Sequence, residues 1–116
     1  MPNQNVALNQ VFHALSDPTR RAVLERLSRG PTSVTQLAEP FKMALPSFVQ
    51  HLQVLEHSGL VRSTKKGRIR TCQLTPQSLG NAEHWMTKQR TIWEKRLDQF
   101  DDYARKFHKK EKQHAR

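Results

Sequence analysis

Cysteine is almost missing from this chain. Cys72 stands alone among 116 residues, so no intrachain disulfide can form, and a reducing compartment suits the protein. Acidic side chains are scarce too: ten against twenty Lys and Arg, which leaves a formal charge of +10. Such an excess costs self-repulsion on folding and favours a polyanionic partner, either nucleic acid or an anionic membrane surface. Long apolar runs are absent; none approaches the roughly 20 residues of a membrane-spanning helix. The opening residues MPNQNVALNQ hold no basic region followed by an apolar one, so no secretory signal is expected and the cytoplasm is the expected location. No glycine-rich loop follows a strand, and no Ser, Cys or His nucleophile stands beside a recognisable base, so no catalytic residue and no cofactor are expected. The length fits one domain with a modest core. Double-stranded nucleic acid is left as the leading partner.

What is present is mostly helical patterning. Val6 to Ser16 carries Ala7, Leu8, Val11, Phe12 and Leu15 at helical spacing and stops at Ser16-Asp17-Pro18. Asp17 can cap the next helix, with Pro18 at its first position, where a missing N–H costs nothing. That helix buries Ala22, Val23 and Leu27, and Arg20, Arg21, Arg26 and Arg29 make it basic. Gly30 ends it and Pro31 blocks continuation. Ser33-Val34-Thr35-Gln36 matches a capping box, in which Ser33 and Gln36 would satisfy each other's backbone amides. The helix it opens is short, because Pro40 follows.

A turn through Phe41, Lys42 and Met43 leads to Ala44–Gly59, the stretch around which the chain is organised. Leu45, Phe48, Leu52 and Leu55 recur at steps of three and four and are expected on one apolar side. The other side collects Pro46, Ser47, Gln50, Gln53, Val54 and His57, with Glu56 on the flank. An acid-free, amide-rich face suits an anionic groove, and equally an ordinary solvated surface. Short helix, tight turn and amphipathic helix together form a helix-turn-helix layout, whose second helix enters the major groove. Gly59 with Leu60 can make a Schellman close.

Beyond Gly59 the period changes from 3.6 to 2. Leu60 to Thr64 and Ile69 to Leu74 are strand candidates joined by Lys65-Lys66-Gly67-Arg68. From Arg62 to Arg70 there are basic residues and no acidic one, the composition of a wing or of a solvated charged turn. Thr75-Pro76 restarts a helix carrying Ala82, Trp85, Met86, Trp93, Leu97, Phe100, Ala104 and Phe107, with Ile92 and Tyr103 widening the stripe. A stripe this long must meet something: the first helix in part, and a second copy of the chain for the remainder. The expected organisation is one domain over 1–107, with dimerisation helices at 6–16 and 76–107, and a basic, fraying tail over 108–116.

These residues together resemble the ArsR/SmtB-type winged-helix repressors. The resemblance runs roughly from Val6 to Phe107. It is carried by Phe12-His13-Ala14-Leu15-Ser16-Asp17-Pro18-Thr19-Arg20-Arg21, by Val34-Thr35-Gln36-Leu37-Ala38, and by Leu45-Pro46-Ser47 with His51-Leu52-Gln53-Val54-Leu55. Ser58-Gly59-Leu60-Val61 and the wing Lys66-Gly67-Arg68 continue it. Trp93 with Arg96-Leu97-Asp98 is similar to the branch without a metal site, often encoded beside a small lipid-transfer-like protein. The resemblance implies a mainly α fold with a small β-hairpin, and a homodimeric repressor of its own operon acting on a near-palindromic operator. The first and last helices would form the interface, through Leu8, Val11, Phe12, Trp85, Met86, Trp93, Leu97 and Phe100.

Candidate DNA contacts follow from the helical wheel and the charge pattern. Ser47 and Gln50 stand in the first turns of the inserting helix, with Pro46 beside them; Gln suits adenine N6 and N7, and Ser suits base or phosphate. His51 either packs beneath the helix or touches a phosphate, and Gln53 meets the backbone. Lys65, Lys66, Arg68 and Arg70 are expected at phosphates or in the minor groove. Thr35 and Gln36 begin the helix that would cross the backbone. Three departures from the family pattern stand out. Ala44 replaces the usual Ser cap, Val49 replaces a common Ser, and Phe48 is bulkier than the usual small aliphatic. Metal-sensing relatives carry a Cys-x-Cys-type pair where this chain has Gln36 to Glu39, and Glu83, His84 and Glu94 supply only fragments of an interfacial zinc site. Cys72 is then expected as a small buried hydrophobe. Two readings of another kind stay open: a helical interaction module using the Trp85–Phe107 stripe, and a metal-responsive member of the same family. No inducer is legible.

Overall fold

The computed structural model describes residues 4–114, with side chains over 6–110. The element order is α1 (Gln4–Leu15), α2 (Pro18–Leu27), β1 (Thr32–Ser33), α3 (Val34–Ala38), α4 (Leu45–His57), β2 (Val61–Lys66), β3 (Ile69–Leu74) and α5 (Pro76–His114). The strands form one antiparallel sheet in the order β1-β3-β2. Two compact units result, the first ending at Ala82 within α5 and the second beginning at Glu83.

The first unit is a winged helix-turn-helix. Its core gathers Val11 and Ala14 from α1, Val23 and Leu27 from α2, Leu37 from α3, and Phe48, Leu52 and Leu55 from α4, with Leu60, Val61, Cys72 and Ala82 completing it. Phe41, in the turn before α4, lies against Phe48 with ring centroids 5.4 Å apart. The bulky Phe48 is therefore fully enclosed. Leu45 is a correction to the helical wheel, being 55% exposed. It sits one turn ahead of Phe48, where Phe41 and Met43 already pack against the core edge.

The junction of α1 and α2 is built from the Ser16-Asp17-Pro18-Thr19-Arg20-Arg21 run. Asp17 is extended at φ −110° and its carboxylate accepts the Arg20 N–H at 3.0 Å, the expected cap. Arg20, one of the four basic residues noted on this helix, is buried at 8% exposure. Its Nε donates to the Ala14 carbonyl and its Nη2 to the His13 carbonyl, both at 2.9 Å. Arg21 Nη1 donates to the Leu15 carbonyl at 2.7 Å. The last carbonyls of a helix have no partner within it, and Pro18 has no N–H to offer Ala14 four residues on. Two arginines from the following helix close that gap.

The capping box forms in one direction only. Ser33 Oγ accepts the Gln36 N–H at 3.2 Å, but Gln36 Oε1 accepts from Thr32 Oγ1 at 2.9 Å. Thr32 and Ser33 are held in a strand, which the sequence pattern did not reveal. Thr32 pairs with Cys72 and Ser33 with Thr71. Two residues are too few for a period to register.

At the end of α4 the Schellman close is complete. Leu60 N–H donates to the Leu55 carbonyl at 3.1 Å, Gly59 N–H donates to the Glu56 carbonyl at 3.0 Å, and Gly59 takes φ +79°. The hairpin is tighter than the four-residue link expected. Lys65 pairs with Arg70 and Lys66 with Ile69, leaving only Gly67-Arg68 between the strands. Gly67 has φ +60°, and among the described residues no other type has positive φ, which suits a turn demanding glycine at its first central position.

The second unit is the helix from Glu83 onward. Trp93, Leu97, Phe100, Tyr103 and Phe107 are each more than half exposed, and Tyr103 stacks on Phe107 with centroids 6.4 Å apart. The helix continues past Phe107 to His114. The expected tail at 108–116 is thus helical over its described part, because no Gly or Pro interrupts a run of good helix formers. Residues 115 and 116, and the side chains of 111–116, lie outside the described residues.

Candidate nucleic-acid interface

Helix α4 packs on α1, α2 and β2 and presents its remaining surface outward. Phe48, Leu52 and Leu55 fix its rotation, since a helix anchored at these spacings has one orientation that buries all three. The consequence is that Pro46, Ser47, Gln50, Gln53 and His57 are all exposed. Val54, expected on this face, instead packs partly against the core. No carboxylate lies on the outer ridge; Glu56 is half-buried on its flank.

Two concavities flank the ridge. The larger, about 1010 Å³, is bounded by the start of α3, by α4 and by β3, and brings together Thr35, Gln36, Gln53, Arg68 and Arg70. The smaller, about 450 Å³, lies between α1 and α4 and is lined by Gln10, His13, Gln50, Gln53, Val54 and His57. Gln53 borders both. Ser47 and Pro46 stand at the N-terminal end of the ridge, outside both hollows, and Lys65 and Lys66 project from the wing near its turn.

Not every candidate is equally free. His51 turns inward: its Nδ1 is 3.4 Å from Arg20 Nη1 and 3.6 Å from Asp17 Oδ2. Of its two expected roles, packing beneath the helix describes this ring nitrogen. Arg70 Nη1 donates to Ser63 Oγ at 3.0 Å, and Ser63 Oγ donates to Glu56 Oε1 at 2.7 Å. This relay ties the wing to the last turn of α4. The Arg62 guanidinium faces its cross-strand partner Gln73, whose side-chain oxygen can accept from Nε at 3.2 Å. Lys65, Lys66 and Arg68 are the exposed wing cations without such a tie in the hydrogen-bond network.

Sequence reasoning missed three features of this region. Arg20 and Asp17 hold His51, and the cue was there in the spacing of Asp17 and Arg20 around Pro18. Glu56 and Ser63 carry the relay, and nothing in a linear pattern links residues on a helix and a strand across a turn. Leu45 is exposed where a wheel buries it.

Titration follows the same contacts. The Arg20 backbone N–H holds the Asp17 carboxyl below its ordinary value against desolvation, and the neighbouring His51 and Arg20 charges add to this. Burial pushes the Cys72 thiol up, with Glu56 reinforcing the shift and Arg70 opposing it. Cys72 is fully enclosed in the core and behaves as the small hydrophobe expected. Among the described residues, no three His, Cys, Asp or Glu side chains gather as a metal site requires, and no helix is long and apolar enough to cross a membrane.

Residues 15–64, from the end of α1 into the wing, match the family model of a helix-turn-helix domain. A crystal structure of an ArsR family transcriptional regulator covers 81% of this chain and 97% of its own, at 51% identity and a TM-score of 0.76. The chain belongs to the ArsR family of transcriptional regulators. The transcriptional repressor SdpR of Bacillus subtilis is 34% identical over 79 residues, which span 68% of this chain and 88% of SdpR. An ArsR-like transcriptional regulator from Rhodococcus matches at 30% identity and a TM-score of 0.76, covering 87% of this chain and 95% of that one. Within this ArsR regulator, the matched region coincides with the elements that carry the ridge and the start of the wing.

Of the expected interface positions on α1, Val11 is 3% exposed, within its own protomer's core. A helix stripe cannot separate the residue that packs inward from its neighbours on the outer flank. Leu8 and Phe12 are partly buried against the same core. On α5, Trp85 and Met86 are 43% exposed, and Trp93, Leu97 and Phe100 more so.

Proposed function

We propose that this ArsR regulator is a homodimeric repressor that binds a near-palindromic operator, inserting α4 into the major groove and laying the β2–β3 wing on the flanking backbone. The observation that carries the reading is the acid-free ridge of Ser47, Gln50 and Gln53, bordered by a groove that ends at the cationic wing. Gln50 reads a base, Ser47 a base or phosphate, and Gln53 with Thr35 and Gln36 the backbone. Lys65, Lys66 and Arg68 neutralise phosphates, with Arg70 joining when its serine contact yields. Pro46 and the outer edge of His51 line the approach. Two copies would place their α4 helices about 34 Å apart, one helical turn of DNA.

Dimerisation rests on the exposed α5 stripe of Trp93, Leu97, Phe100, Tyr103 and Phe107. An apolar surface of that kind on a +10 chain calls for a partner, and a second copy supplies a matching one by symmetry. A homodimeric winged helix-turn-helix DNA-binding domain from Mycobacterium bovis shares the fold, at 21% identity and a TM-score of 0.60. The protein acts in the cytoplasm, needs no cofactor and performs no catalytic step.

The test is operator binding against salt. With about four phosphates neutralised per protomer, the log–log slope for the dimer is near −7. Gln50→Ala is expected to cost about 1–3 kcal/mol on the operator and almost nothing on unrelated DNA. Lys66→Ala and Arg68→Ala are expected to weaken all sequences alike and to reduce the slope. A slope near −2, or equal losses for Gln50→Ala on both DNAs, would refute the corresponding assignment. Sedimentation of the protein without DNA separates a dimer from a monomeric interaction module.

A further inference from the structure

Leu45 is not a member of the hydrophobic core. It is the first residue of α4 and 55% exposed, and its neighbours Ala44 and Pro46 are exposed as well. Ala44 supplies no side-chain hydrogen bond to the helix start. The end of α4 nearest Ser47 therefore exposes three consecutive apolar residues, Ala44, Leu45 and Pro46, outside the core cluster. On this helix the first turn is also where side chains reach base edges. We infer that Leu45 reads a thymine through its C5-methyl group, beside the base pair contacted by Gln50 or Ser47.

Major-groove chemistry makes the choice of base. Guanine, adenine and cytosine present only hydrogen-bonding groups there, and an aliphatic side chain can satisfy none of them. Thymine alone adds an apolar methyl. Seating Leu45 on that methyl removes both from water, whereas placing it against a donor or acceptor leaves a polar group unpaired. The specificity is thus both attractive and repulsive, and with Gln50 suited to adenine it biases each half-site towards an A·T-rich step. This rests on the DNA-binding reading above.

The experiment uses the full chain and an operator selected by it from a random duplex pool. Each thymine of a half-site is replaced in turn by deoxyuridine, which lacks only the methyl. One position is expected to lose about fourfold in affinity per half-site, the effect of about 0.8 kcal/mol for one buried carbon group at 1.4 kcal/mol per factor of ten. Leu45→Ala should bind thymine and deoxyuridine operators equally at that position, while Leu45→Met keeps the discrimination. Because Leu45 is exposed, both variants are expected to retain the unfolding midpoint of the parent. Insensitivity of the parent protein to deoxyuridine everywhere in the half-site, or full sensitivity retained by Leu45→Ala, would overturn the inference while leaving DNA binding intact. Failure of the parent to enrich any sequence would overturn sequence reading itself, and this inference with it.

Discussion

Replacing Arg20 tests the account of how the inserting helix is held. Arg20 is 8% exposed and bridges the end of α1 to His51 in the middle of α4. Arg20→Ala removes two charge-assisted hydrogen bonds, to the Ala14 and His13 carbonyls, each 2.9 Å long. The consequences for the two acceptors differ. The His13 carbonyl still receives the Ser16 N–H at 3.1 Å and Ser16 Oγ at 2.6 Å. The Ala14 carbonyl has no substitute, because the residue four positions on is Pro18. An orphaned buried carbonyl costs about 1–3 kcal/mol, and the lost packing of the arginine stem adds to it. The expected destabilisation is about 2–4 kcal/mol, read by urea or thermal unfolding at fixed protein concentration. For a chain of this size, that is a fall in Tm of roughly 8–16 °C. Arg20→Met separates the contributions, since it keeps most of the stem and none of the donors. Arg20→Lys should fall between, because one ammonium cannot serve both carbonyls as the guanidinium fork does. A loss below about 0.5 kcal/mol for Arg20→Ala, the scale of an ordinary surface change, would refute the reasoning.

Two further predictions concern the ends of helices. Asp17→Ala should cost about 1 kcal/mol near neutral pH, the worth of an N-cap. Because the Asp17 carboxyl is depressed from 3.8 in the folded protein, its contribution is present above that value and fades as pH falls through the lower one. Stability measured against pH should therefore show parent and variant converging in acid, and a constant gap would contradict the cap. Gly59→Ala should cost about 1–3 kcal/mol by chemical denaturation, since φ is +79° and an added Cβ would run into Ser78 Oγ. Combining it with Ser78→Ala relieves the collision and leaves the backbone strain, so partial rescue is expected; full rescue would deny that the left-handed conformation matters.

Legibility from sequence tracked how local the cause was. Asp17, Gly59 and Gly67 act within their own turns, and their residue types announced the cap, the Schellman close and the hairpin. Phe48, Leu52 and Leu55 showed the buried side of α4 because three residues in phase outweigh any single exception. Leu45 was that exception: periodicity supplies an angle but not the position along the axis at which the underlying layer ends. Arg20 was legible only as one of four basic residues on α2, because charge is a poor guide once the neighbours are bare carbonyls six and seven residues back. Strand β1 and the Glu56–Ser63–Arg70 relay need contacts between distant segments. The exposed site residues were legible as a face, whereas His51 and Arg70 were restrained by partners that no linear pattern reveals.

The restraints bear on function through the angle between helix and wing. The Schellman hydrogen bonds at Leu60 and Gly59 set the direction in which the chain leaves α4. Thr75 N–H donates to the Leu60 carbonyl at 2.9 Å, so the return strand is pinned to the same residue. Ser63 then links Glu56 on the helix to Arg70 on the wing. On the opposite side, Asp17 and Arg20 hold His51. A helix fixed on both flanks cannot roll to offer a different ridge, so in the proposed reading sequence preference would reside in the few side chains already facing out. The wing has the reverse design. Lys65 and Lys66 extend on flexible stems from the end of β2 and Arg68 from the two-residue turn, and charge on flexible stems tolerates variation in groove width. Under the proposed DNA-binding reading, rigid positioning at α4 and adaptable charge at the hairpin divide the work: α4 would select the sequence, and the wing would supply affinity for any duplex.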